Sequence, residues 1–150
     1  MNGTGQQFER EGNVSDATVK RVDEMERTFG GAFVLARASL GVSSFGMQVL
    51  ELPPEWAGPE HCHEGMTGEL AATANDGQEE VYIGLDGSAV LRCGDQEITL
   101  EKDVMVRCGP TQMRQLVTRD EPARVLVVGA IPGQGYRAPA FTEIPTEASG

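Results

Sequence analysis

Residues 79–100 read EEVYIGLDGSAVLRCGDQEITL, and the fold turns on how this stretch is divided. Apolar residues alternate with polar ones in "EEVYIGL", "SAVLRC" and "QEITL", the period of strands with one buried face. Between these runs stand Asp86-Gly87 and Gly94-Asp95. Both dipeptides favour the positive φ angles of tight hairpin connections, so the stretch predicts three antiparallel strands joined by two short turns.

The same texture extends outward in both directions. "AFVLARAS" (32–39) and "FGMQVLEL" (45–52) precede it, and "VMVR" (104–107), "RQLVT" (114–118) and "ARVLVVGA" (123–130) follow, with Gly, Pro and Asp between them. Many short strands with frequent turn signals predict an all-β sandwich or barrel. One segment departs from this pattern. "SDATVKRVDEMERTFGG" (15–31) has Ser15 as an N-cap, apolar Val19, Val22, Met25 and Phe29 at helical spacing, and Gly30-Gly31 as a stop, which predicts one short amphipathic helix bracing the main body. Residues 1–14 lack hydrophobic periodicity and read as a disordered tail. Residues 15–135 read as a single domain, and the Pro- and Gly-rich 136–150 as a tail running over the surface.

Composition restricts the function. At 150 residues the chain suits one hydrophobic core, and 39% hydrophobic against 23% charged residues is ordinary for a globular domain. A net charge of −11 repels phosphate backbones and argues against nucleic acid as a partner. There is neither a membrane-length apolar run nor a secretory signal pattern, so the expectation is a cytoplasmic protein that does not engage membranes. Cys62, Cys93 and Cys108 form no C-x-x-C pair and are odd in number, in keeping with a reducing compartment.

Both histidines of the chain stand in "PEHCHEG" (59–65), one residue apart. If this stretch is a strand, His61 and His63 project from one face about 6–7 Å apart. They can then converge on one divalent transition metal. Glu80 offers the anionic partner and is preferred to Glu79, which alternation turns to the surface. Glu64 is a weaker alternative. Cys62 faces away from the pair and reads as a small buried hydrophobe.

His61-Cys62-His63 followed by Glu80-x6-Gly87 resembles the first motif of the cupin superfamily, G-x5-H-x-H-x3,4-E-x6-G. The resemblance covers about residues 40–130. It implies an all-β, double-stranded β-helix (jelly-roll) barrel holding a metal between His61, His63 and Glu80. The metal would be iron, zinc, nickel or manganese. It also implies a homodimer of small subunits.

Two departures qualify the resemblance. Sixteen residues (64–79) separate His63 from Glu80, an insertion that reads either as a mobile flap at the barrel mouth or as a neutral surface loop. The second family motif, G-x5-P-x-G-x2-H-x3-N, aligns with "DVMVRCGPTQMRQLV" so that Arg114 falls where a third histidine belongs. Arginine has donors only and cannot ligate a cation. Arg114 therefore either anchors an anionic substrate beside a three-ligand metal or pairs with Glu80 in its place. Tyr82, Gln48 and Met113 are further candidates for lining a substrate site, whereas Trp56 reads as a barrel plug or dimer contact. The expected function is a metal-dependent enzyme, oxygenase- or isomerase/lyase-like, acting on a small anionic molecule. The alternative is a non-catalytic small-ligand-binding or sensing protein.

Overall fold

The computed structural model describes residues 12–14, 16–66 and 75–145. A two-stranded ribbon, β1 (Gly12–Val14) and β2 (Ala17–Val19), precedes the body. The body contains β3 (Arg27–Thr28), β4 (Phe33–Val34), α1 (Ala36–Leu40), β5 (Gly46–Leu52), β6 (Glu79–Cys93), β7 (Gln96–Glu101), β8 (Met105–Cys108), β9 (Arg114–Val117) and β10 (Ala123–Ala130). The strands join in the order β3-β4-β5-β10-β6-β7, with β8 and β9 also paired to β6. All the strand pairs in this body are antiparallel, as the short alternating runs predict.

The helix expected over 15–31 is absent from its described part. Strands and two turns of 3-10 helix (Val22–Glu24 and Phe29–Gly31) occupy the segment instead. Among the described residues a short α-helix lies just downstream at Ala36–Leu40, where "AFVLARAS" reads as strand, and ends on Gly41 at φ 80. Met25 is nonetheless buried, in a cluster with Val34, Ala36 and Val49. Of the four apolar positions, Met25 is buried, Val19 and Val22 are half-buried and Phe29 is exposed, while pairing to the sheet edge claimed the backbone.

The second correction concerns Asp86-Gly87. It is no hairpin, because β6 runs unbroken for 15 residues through it. The register with β10 slips here: Arg124 faces Asp86 while Val125 faces Gly84, so Leu85 is the extra residue of a bulge and stands 39% exposed. Before the bulge β6 pairs with β10 and β8, and after it with β7 and β9. One strand thus joins both halves of the eight-stranded sheet. Gly87 sits at φ 67, and a Cβ there would overlap the Pro122 carbonyl oxygen. Gly87→Ala is therefore expected to cost about 2–4 kcal/mol, from left-handed strain plus the clash, read as a lowered urea midpoint. Gly94-Asp95 does form the predicted two-residue turn, joining Cys93 to its partner Gln96 with Gly94 at φ 61.

Alternation along β6 divides its side chains. Glu80, Tyr82, Ala89 and Leu91 are buried, and Leu91 packs with Leu50, Leu52, Leu100, Leu116 and Val125 into the barrel core. Each such side chain stabilises the fold by roughly 1.5–3 kcal/mol. Among the described residues, no helix is long and apolar enough to cross a membrane.

Candidate metal centre

His61 and His63 do not lie on a regular strand. Only His61 makes a bridge, exchanging backbone N–H···O bonds of 2.9 Å in both directions with Arg114. His63 is fixed by its N–H donating to Pro110 O at 2.8 Å and by its carbonyl accepting from Gly77 N at 2.6 Å. The second of these bonds closes the 64–79 insertion back onto the site. The flap expected there falls largely on residues 67–74, which lie outside the described residues. The two imidazoles end up 5.2 Å apart, ring centre to ring centre, at an interplanar angle of 82°.

Glu80 completes the group. One ligand atom from each of His61, His63 and Glu80 lies within 4.8 Å of the others, so the three can hold a metal ion. The details of the donor set fit that role. His61 Nδ1 stands 3.2 Å from Pro59 O, which sets Nδ1 as the protonated nitrogen and leaves Nε2 with its lone pair. His63 is 3% exposed, yet neither of its ring nitrogens has a hydrogen-bond partner among the described residues. Its closest polar approach is Nε2 to Glu80 Oε2 at 3.4 Å, too long for a good hydrogen bond. A buried imidazole left in this state costs free energy that a ligated cation would recover.

The carboxylate is held in place by its neighbours. Gln78 Nε2 donates to Glu80 Oε2 at 3.0 Å, and the Tyr82 hydroxyl donates to Oε1 at 2.8 Å. Burial pushes the Glu80 carboxyl upward, but the His63 ring, the charge of Arg114 and the Tyr82 hydroxyl outweigh it and hold the group at about 2. Burial lowers His61 below its ordinary value, against the opposing pull of the Pro59 carbonyl and Glu80. At neutral pH the site therefore offers an anionic oxygen and a neutral His61 nitrogen, the forms a transition metal needs.

Two glycines leave the space for this arrangement. Gly46, Gly129 and Glu80 stand in one row across β5, β10 and β6. A Cβ on Gly46 would come 2.6 Å from the Tyr136 hydroxyl, and one on Gly129 would come 2.9 Å from Gln78 Nε2. Gln78 was missed in the sequence, although alternation, two residues before Glu80, would have pointed to it. Tyr136 carries no such signal, because it comes from the segment expected to run over the surface. Instead Tyr136, Pro139, Phe141 and Thr142 help wall the cavity in front of the site.

That cavity measures about 470 Å³. His61, His63 and Glu80 line it, as do Tyr82 and Gln48, which share the next row through Val127. Trp56 lines it as well. Its ring lies against Gly58, where a Cβ would come within 2.8 Å of it. Met113 is 39% exposed and is not among the residues that line the cavity.

Arg114 requires the larger correction. Its side chain is 1% exposed and does not line the cavity, which takes it out of reach of a ligand there. Nor does it pair with Glu80. Nη2 donates to Gly109 O at 3.1 Å, and the one ion-pair neighbour of Glu80 among the described residues is His63. Its Nε and Nη1 find no hydrogen-bond partner among the described residues. Burial opposes its charge, but the neighbouring Tyr82, Glu80 and Cys108 groups more than restore it, so the guanidinium stays ionised inside the barrel. It acts on the site as a nearby charge.

No family model matches the chain, and no curated protein matches it. Solved structures do. A cupin protein from Bacteroides fragilis aligns over 89% of this chain and 99% of its own, at 20% identity and a TM-score of 0.60. A sugar phosphate isomerase of the cupin superfamily from Silicibacter pomeroyi aligns over 73% of each chain, at 22% identity and a TM-score of 0.56. A Cupin 2 conserved barrel domain protein from Salinispora arenicola is matched over 66% of its own length and 60% of this chain, at 19% identity and a TM-score of 0.48. The fold is the cupin jelly-roll barrel, and the resemblance read from His61, His63, Glu80 and Gly87 holds at the level of fold.

Proposed function

We propose that His61, His63 and Glu80 bind one divalent transition metal and that the protein is an enzyme acting on a small organic molecule held in the adjoining cavity. The observation that carries this reading is the buried His63 ring with both nitrogens unpartnered among the described residues, beside a carboxylate held ionised. Three ligands from one side leave coordination positions open toward the cavity. A bound ion would supply Lewis-acid polarisation of a substrate oxygen, or redox chemistry if it were iron.

The remaining work falls to the chain itself. Gln78 and Tyr82 fix the carboxylate, the Pro59 carbonyl fixes the His61 tautomer, and the apolar walls exclude water. Arg114 keeps Glu80 anionic from behind. The negative end of a substrate would therefore meet the metal rather than an arginine.

The isomerase activity of the Silicibacter protein does not transfer readily. Arg37 is the one Lys or Arg among the described cavity-lining residues, and it is bound to Glu143 at 2.8 Å and to the Val42 carbonyl at 3.0 Å. A phosphate would find no free cationic side chain there.

Protein purified without chelator is expected to carry about one equivalent of iron, zinc, nickel or manganese per chain by elemental analysis. Failure to retain any of the four after loading would end the proposal. With metal in place, oxygen uptake or anaerobic product formation on a panel of small acids and phenols distinguishes enzyme from binder. A loaded protein that binds such molecules without turnover is the non-catalytic alternative.

A further inference from the structure

The cavity's outer wall carries chemistry that the metal site does not use. Phe29 and Phe33 meet edge to face with ring centres 4.9 Å apart, Phe29 stands 5.8 Å from Phe141, and Phe33 stands 6.4 Å from Trp56. All four line the cavity. They form a continuous aromatic band from its rim to the neighbourhood of His61.

Phe29 is the unusual member. It is 58% exposed, a large apolar surface to leave in water, and its backbone has φ 55, a left-handed conformation that a bulky residue seldom adopts. Gly30 at φ 67 and Gly31 at φ 97 continue the same turn. A Cβ on either glycine would meet no atom within 4 Å, so open space surrounds both. Strain and exposure thus coincide at one residue on the cavity's rim, a combination that proteins keep where the residue has a task. The contacts to Phe33 and Phe141 leave more than half of Phe29 uncovered.

We infer that the cavity takes an aromatic molecule bearing one hydroxyl or carboxylate oxygen, its ring clasped against the aromatic band of Phe29, Phe33 and Trp56 and its oxygen turned toward His61, His63 and Glu80. Aromatic pairing in offset or edge geometry favours a flat ring over an aliphatic or sugar body of equal size. The tied-up Arg37 leaves no cationic side chain for a second acidic group among the described lining residues. The placement of the oxygen rests on the metal reading above, whereas the ring clasp does not.

Chelator-treated and zinc-loaded protein titrated with 2-naphthol separate the two claims. Binding is followed by calorimetry and by the emission of Trp56, the chain's one tryptophan. Both forms should bind, the zinc form more tightly, with quenching of Trp56. Phe29→Ala should weaken binding about 5–10-fold in both forms, with cooperative urea unfolding and retained zinc uptake showing that the variant is folded. Decahydro-2-naphthol should bind more weakly than 2-naphthol, and glucose 6-phosphate should not compete. The clasp is overturned if 2-naphthol fails to bind, if Phe29→Ala leaves its affinity unchanged, or if glucose 6-phosphate displaces it. Self-association that Phe29→Ala abolishes would also overturn it, by making Phe29 a contact between copies of the chain. Failure of the metal reading appears separately, as 2-naphthol binding without zinc uptake.

Discussion

His63→Ala is expected to eliminate tight metal binding, while Gln78→Leu and Tyr82→Phe only weaken it. The difference follows from what each side chain touches. His63 offers two buried, unpartnered ring nitrogens to the site, so its loss removes a ligand outright. Gln78 and Tyr82 touch only the carboxylate oxygens of Glu80, and losing such a supporting contact costs about 10–100-fold in affinity. The ligand substitution should cost well beyond that range. Competition against a chromophoric chelator with zinc measures all three. Stability gives a second readout, because zinc at 100-fold over its Kd should stabilise the native protein by about 2.7 kcal/mol. That gain should vanish in His63→Ala. An equal gain in the variant would show that the metal binds elsewhere.

The second large effect is expected at Arg114. Arg114→Ala opens a void in the barrel and leaves the buried Glu80 carboxylate without its nearby cation, a loss of about 3–5 kcal/mol in urea unfolding at neutral pH. Arg114→Met refills most of the volume without the charge, so its smaller loss isolates the electrostatic part. The pH profile identifies that part. Glu80 is held at about 2 in the folded protein against an ordinary 4.5, so its contribution is complete above pH 4.5 and disappears as pH falls toward 2. In Arg114→Met the carboxyl rises toward its ordinary value, and the loss of stability between pH 4.5 and 2 should become shallower. A profile parallel to wild type would mean that Arg114 has only a packing role.

The barrel was legible in the sequence because its strands alternate and its glycines recur, and the candidate site because His61-x-His63 and Glu80-x6-Gly87 each match a family's interval, although 16 residues separate the two pieces. What failed were features decided at a distance. Asp-Gly satisfies a positive φ equally well in a hairpin and in a bulge. Only the partner strands, β10 before Gly87 and β7 with β9 after it, determine which of the two forms. Val22 and Met25 have helical spacing and do turn toward the body, but edge pairing of Arg27–Thr28 with Phe33–Val34 took the backbone. Arg114 could be assigned by alignment to the third-histidine position. Whether its guanidinium reaches the cavity depends on how the barrel closes around it, and local sequence does not encode that. Tyr136 and Phe141 were out of reach for the same reason.

The bulge in β6 has a mechanical consequence. A hairpin at Asp86-Gly87 would have been a joint, letting the strand that bears Glu80 and Tyr82 breathe apart from the strand that bears Ala89 and Leu91. Instead the two halves form a single stiff beam clamped by four partner strands. Glu80 and Leu91 therefore belong to one continuous strand, and a substitution that disturbs the pairing of β6 at either end is expected to act on both the candidate site and the core.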